Sequence, residues 1–387
     1  MPQFITHPLA TAPLAQAGGL DAIKRIVDEL CRPYWFLSII TLVCVLMFVF
    51  YKRWTRPVVF TVLFTLFFAA YFASAADRNF HAIVAKPDNI PITLMVIGVV
   101  FCLWIAFRRA AMNDTRTAGG LPLLEGSHDD KVLVWPDLVY TELLCMVIAS
   151  ALLILWAILA KAPLEEPANP GYAPNPAKAP WYFLGLQEML VYYDPWMAGV
   201  VYPALIILGL CAIPYIDTNP KGNGYYTLRE RPFAISVFLF GFIVLWVVLI
   251  FFGTFLRGPN WNFFGPFEAW DPHRQPALTN IDLSQFFWDD IARRGLPDAG
   301  SNPIALLPVW LVREWLGLLV VAGYFTITPA VLRFTAMKKM YAQMGPMRFA
   351  IMVILLLFMA LLPIKMVLRW LFNFRYFIYL PEANFSF

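Results

Sequence analysis

Phe233-Ala234-Ile235-Ser236-Val237-Phe238-Leu239-Phe240-Gly241-Phe242-Ile243-Val244-Leu245-Trp246-Val247-Val248-Leu249-Ile250-Phe251-Phe252-Gly253-Thr254-Phe255 runs without a single charged side chain, with Arg231-Pro232 before it and Arg257 just after it. As a helix it is about 35 Å long, enough to cross a hydrocarbon core about 30 Å thick. In lipid, every backbone N–H and C=O must be satisfied within the segment, so helix is the conformation open to it. Comparable runs recur at about 34–50, 58–75, 90–107, 138–159 and 198–215, and within 304–332 and 349–370. The 387 residues are 60% hydrophobic, with a mean hydropathy of +0.65. The expected fold is therefore all-α: a polytopic transmembrane helical protein of about eight spans, with short amphipathic interface helices in its long outward loops.

The segments flanking the spans carry the remaining information. Residues 1–33 lack an apolar core followed by a small-residue cleavage site, so insertion is expected to rely on the spans themselves. Within 19–31, Leu20, Ile23, Ile26, Val27 and Leu30 recur at helical spacing, which predicts a short amphipathic helix on the membrane surface or against a partner. The net charge of +4 needs no nucleic acid to explain it, because the basic residues cluster in short connections between spans. Cys44, Cys102, Cys145 and Cys211 lie in apolar runs, and Cys31 just before one; none has metal-ligand or haem-attachment spacing, so no metal site is expected.

Those connections also set an orientation. Lys52, Arg53 and Arg56, then Arg108, Arg109, Arg116 and Lys131, then Lys221, Arg229 and Arg231, then Arg333, Lys338, Lys339 and Arg348 all fall on one side, which the positive-inside rule makes cytoplasmic. Both termini and two unusually long loops, 162–197 and about 257–303, then face outward. Loops of that length rich in order-promoting residues are usually functional or partner-binding. The second carries Trp261, Phe263, Phe264, Phe267 and Trp270, then a helical-looking run near 281–291.

Ionisable residues near the spans have simpler explanations. Arg313 and Glu314 are expected to mark the point where a surface helix turns into the membrane, because unpaired charge inside lipid is costly. Glu142 is expected at the cytoplasmic interface, and Lys365 and Arg369 to snorkel. The four histidines, His7, His81, His128 and His273, all lie outside the apolar spans, so this chain supplies no axial pair for a haem buried between helices.

The chemistry is expected in the first long loop, at Pro180-Trp181-Tyr182-Phe183-Leu184-Gly185-Leu186-Gln187-Glu188, which follows a proline-rich run beginning at Pro163. A site that oxidises a quinol needs an apolar slot for the ring and a group able to take a proton. Trp181, Tyr182 and Phe183 offer the slot; Glu188, Tyr192, Tyr193 and Asp194 offer polar groups. On a helix, Glu188 and Tyr192 share one face, and an apolar setting would suit Glu188 to proton transfer near neutrality. An interface helix with polar tips is the alternative that residue types leave open.

Several pieces in order carry a resemblance: Trp135-Pro136-Asp137-Leu138-Val139-Tyr140 before a span, Glu166-Pro167-Ala168-Asn169-Pro170, Ala179-Pro180-Trp181-Tyr182-Phe183, and Arg231-Pro232. Together they resemble the C-terminal half of cytochrome b, and especially subunit IV of the photosynthetic cytochrome bf complex, over about a third of the chain. In that family Pro-Glu-Trp-Tyr borders the quinol-oxidation site on the positive side. Here Trp181 and Tyr182 hold the last two places, Ala179 stands for the proline and Pro180 for the glutamate. Proline cannot accept a proton, and Glu188 is the nearest carboxylate in the segment. The version Ala-Pro-Trp-Tyr-Phe-Leu-Gly-Leu-Gln-Glu resembles bacterial bc complexes.

The resemblance implies a membrane subunit of a bc-type quinol–cytochrome c oxidoreductase in a bacterial inner membrane. Glu188 and Tyr182 are its catalytic candidates, and Pro180, Trp181, Tyr182 and Phe183 its quinol-binding residues. It implies quinone as the shared cofactor and b-type haems on a separate cytochrome b N-terminal-type subunit. A Rieske-type iron–sulfur protein, a c-type cytochrome and lipids would complete a dimeric complex. Three regions are expected: 1–130 with three extra spans of no assigned role, 131–256 like subunit IV, and 257–387 with the aromatic loop and two last spans. The rival readings are a non-catalytic scaffold or anchor of another respiratory complex, and a secondary transporter.

Overall fold

The computed structural model describes residues 19–127, 131–159, 167–219, 226–275, 280–298 and 306–387. His7, His128, Pro163, Glu166 and Lys221 lie outside them. The chain is helical almost throughout, as the apolar runs require. An interface helix α1 (Gly19–Leu30) precedes α2 (Pro33–Val49) and α3 (Pro57–Ser74). A short α4 (Arg78–Val84) links to the long α5 (Asn89–Ala118), followed by α6 (Val134–Leu159). Then come α7 (Trp181–Met189) in the first long loop, α8 (Met197–Ile216) and α9 (Pro232–Leu256). Last are α10 (Leu306–Arg313), α11 (Trp315–Phe334) and α12 (Lys338–Phe372), with a small antiparallel pair of β1 (Tyr379–Leu380) and β2 (Phe385–Ser386).

Among the described residues seven helices are long and apolar enough to span a membrane, and eight if α1 and α2 count as one span bent by 82°. The protein is thus a polytopic all-α membrane protein. Pro33, Pro57 and Pro232 open their helices in the first turn, where the missing N–H has no partner to lose. The apolar face of α1 is open, with Leu20, Ile23 and Ile26 all more than half exposed. That exposure agrees with a helix lying on lipid or a partner.

The core gathers around α9 and α12. Val248, Leu249 and Phe252 of α9 meet Leu361, Leu362 and Met366 of α12, with Tyr192, Tyr193 and Met197 filling the space between. α7 lies across the C-terminal end of α9 at a glycine crossing. A Cβ on Gly253 would sit 3.3 Å from the Leu184 side chain, and one on Gly185 would sit 3.4 Å from Ile250. Small residues at both positions let the two backbones approach, as in other membrane helix contacts. The expected run near 281–291 is helical, as Leu283–Gln285 and Phe286–Ile291.

Two expectations about charge resolve differently. Arg313 and Glu314 do mark a turn, since α10 ends at Arg313 and α11 starts at Trp315. They are buried there: Arg313 donates to both oxygens of Glu382 at 2.8 Å and to Glu314 at 3.2 Å, and Tyr379 N donates to Glu314. Lys365 does not snorkel. It is 1% exposed, and its Nζ lies 4.3 Å from the Tyr193 ring and 5.2 Å from that of Tyr376, because the tail after α12 folds back over the helix end.

Candidate functional site

α7 starts after Pro180, whose fixed φ of −51° suits the residue before a helix. The segment before the helix is tied to it by the Gln187 side chain, which folds back so that Ala179 N donates to its Oε1 at 2.8 Å and its Nε2 donates to Ala177 O at 2.9 Å. The helix has two ends of opposite character. At its start Trp181, Tyr182 and Phe183 are 38%, 51% and 52% exposed, with the Tyr182 and Phe183 rings 4.7 Å apart. Two turns on, Glu188 is fully buried.

Glu188 does not sit in the apolar setting expected of it. Arg257 Nε donates to its Oε2 at 2.9 Å and Arg257 Nη2 to its Oε1 at 2.6 Å, a two-point fork. Trp261 Nε1 donates to Oε2 at 3.1 Å, and the Tyr192 hydroxyl to Oε1 at 3.0 Å. Glu188 and Tyr192 are therefore in contact, although α7 ends at Met189 and the phenol comes from the turn after it rather than from the same helical face. Burial, with the Glu188 charge beside it, pushes the Tyr192 hydroxyl well above the usual tyrosine range. Arg257 in turn donates to Trp261 O and lies 3.6 Å from the centre of the Phe263 ring.

The local chain makes this possible. The last turn of α9 is wide: Arg257 N bonds Phe252 O, five residues back. Arg257 then pairs with Phe263 as an isolated bridge, closing a tight loop. At its tip Asn260 and Trp261 both have positive φ, 56° and 57°. That conformation is unusual for a bulky L residue, and it accompanies an indole N–H aimed at the carboxylate. Gly258 is obligatory in this loop, since a Cβ there would lie 2.6 Å from the Phe264 ring.

The two long loops form one unit. Asn175 and Asn260 exchange hydrogen bonds at 3.0 and 2.7 Å, and Lys178 Nζ donates to Thr254 O at 2.9 Å beneath the Trp270 ring. Desolvation, with the Lys86 and Arg257 charges adding to it, lowers the Lys178 ammonium to about 7.

The structure thus brings Glu188 and Tyr192 together with Arg257 and Trp261, and leaves Pro180, Trp181, Tyr182 and Phe183 on the open end of the same helix. Sequence reasoning missed Arg257 as a partner of Glu188, because an arginine at the exit of a span reads as an interface charge. Tyr193 belongs to a neighbouring contact: its hydroxyl meets that of Tyr202, and its ring covers Lys365. Among the histidines, His81 is on α4 and His273 in the second long loop.

No solved structure matches the chain. Its residues 167–268, which include α7 and the Arg257–Trp261 loop, match the family model of cytochrome b (C-terminal)/b6/petD, so this stretch is similar to that family.

Proposed function

We propose that this chain is a membrane subunit of a bc-type quinol–cytochrome c oxidoreductase and forms one wall of its quinol-oxidation site. The observation that carries the reading is the joining of the two outward loops around Glu188, with Glu188, Arg257 and Trp261 all inside the family-matched stretch, beside an open aromatic end of α7. Bound quinol would supply two electrons and two protons. Pro180, Trp181 and Phe183 give an apolar flank to the ring, and the Tyr182 phenol a hydrogen-bonding edge. Glu188 is the proposed proton acceptor. Four donors hold it in this arrangement, so taking a proton requires that its grip on Arg257 loosen.

The electrons go to partners that carry metal: a cytochrome b N-terminal-type subunit with the b haems, a Rieske-type protein and a c-type cytochrome, in a dimeric assembly of a bacterial inner membrane with both termini outward. The division of the chain into 1–130, 131–256 and 257–387 remains part of this reading. Its second boundary falls between Glu188 and Arg257, so the site draws on both regions.

The test is to purify the chain from its native membrane, record haem spectra, and measure quinol oxidation with Glu188→Gln. The expected result is co-purified b- and c-type haem, with turnover at least tenfold lower in the variant. Unchanged turnover would remove Glu188 from the mechanism, and purification without any haem would favour the scaffold or transporter readings.

A further inference from the structure

The first three spans precede the family-matched stretch, yet they grip it. α1 and α4 meet the second outward loop at a single residue, Phe267. Asp28 of α1 accepts from Phe267 N at 2.8 Å, and Asn79 of α4 donates to Phe267 O at 2.9 Å. The Phe80 and Phe267 rings stack with centres 5.5 Å apart, and Lys24 Nζ lies 6.0 Å from the Phe267 ring. The gripping elements are themselves tied together: Lys24 bonds Asp77 at 2.6 Å, and Asp77 caps α4 by accepting from Asn79 N and Phe80 N. The approach is close enough to demand glycine opposite Asp28, since a Cβ on Gly265 would fall 2.3 Å from its Oδ1.

Phe267 lies six residues from Trp261, in a loop whose other end is bonded to Glu188. Between them, Phe264 N donates to Leu256 O and the Phe264 ring covers Gly258, so displacement at Phe267 is carried to the start of the loop. We propose that the N-terminal extension is a latch on the site loop, with Asp28 and Asn79 as positioning residues that hold Arg257 and Trp261 against Glu188. The assignment of a catalytic purpose to that contact rests on the function proposed above; the latch itself does not.

The latch is sensitive to protons. Asp28 is raised to about 6, first by desolvation and further by the Glu268 and Asp77 carboxylates, against the Phe267 N–H and Lys24. Asp77 is paired with Lys24, and Glu268 with Arg274 at 2.9 Å. Released into water the carboxyl would return to about 3.9. The closed latch therefore binds this proton more tightly than the open one. Closure is favoured as pH falls through about 6 and weakens as pH rises past it.

Hydrogen exchange of the 257–270 backbone in the intact complex tests this. Asp28→Ala and Asn79→Ala are each expected to raise exchange of 261–268 about tenfold or more, while Asp28→Asn, a neutral isostere, keeps the protection. After correction for intrinsic rates, the wild type should exchange about tenfold faster at pH 7 than at pH 5, and Asp28→Asn should lose that difference. Unchanged protection in both alanine variants overturns the latch, whatever quinol oxidation does. Raised exchange together with unchanged quinol turnover keeps the latch and overturns its positioning of the site.

Discussion

Glu188 illustrates how much a single residue's meaning depends on what faces it. In lipid or an apolar slot a carboxyl is an acid waiting for a proton; against the Arg257 fork it is half of a buried ion pair. Removing one partner of such a pair leaves an uncompensated charge, which typically costs about 3–5 kcal/mol. Arg257→Ala is therefore expected to lower the thermal stability of the purified protein by that order, read as early loss of the folded helical signal. Arg257→Lys keeps the charge but loses the two-point fork and the planar contact with the Phe263 ring, and should fall between the two. A melting profile unchanged in Arg257→Ala would mean that the pair is not holding the loops. Lys365 makes the complementary point: its aromatic surroundings replace water around an ammonium with no hydrogen-bond partner among the described residues.

Among the elements, the junctions carry the specificity and the spans supply length. α7 reaches its place because Gly185 and Gly253 bring it close to α9. The tail after α12 reaches its place because Gly317, at the start of α11, admits the Phe377 carbonyl; a Cβ there would lie 1.8 Å from that oxygen. The Arg313–Glu382 fork and the short β1–β2 pair then fasten the tail. Gly317→Ala is expected to eject the tail, exposing the Lys365 cage, and limited proteolysis of the purified protein should cut 373–387 in the variant and spare the wild type. Equal resistance in both would show that the backbone of α11 can shift to make room. The glycine pattern was visible in the sequence, but which glycine meets which backbone was not, since that depends on segments sixty or more residues apart.

At the scale of the molecule, the charge distribution assigns both long loops to one side of the membrane. With an impermeant thiol reagent on intact cells carrying single introduced cysteines, His273→Cys is expected to label from outside and Ala336→Cys only after permeabilisation. The reverse pattern would invert the topology and place the candidate site in the cytoplasm. The fold class and the positions of the spans were legible because a 30 Å apolar layer leaves helix as the one economical solution for a continuous apolar run. The short helix at 19–31 ahead of the first span was legible too, from helical spacing. The 82° bend and the extension of α5 to Ala118 were not. α5 continues past the apolar run because Asn113 and Asp114 find partners at Glu125, Tyr226 and Tyr51, contacts between distant parts of the chain.

The sequence by itself determined the membrane-spanning class, the boundaries of five of the spans to within a few residues, and the segment around Trp181–Tyr182 that resembles cytochrome b. These follow from local composition and order, which a bilayer translates into structure almost without ambiguity. Tertiary structure alone decided that Glu188 meets Arg257 and Trp261, that Lys365 is enclosed, and that the N-terminal spans hold the second loop at Phe267. Those are pairings across 69 to 239 residues of chain, and no local pattern encodes which distant partner will satisfy a buried polar group.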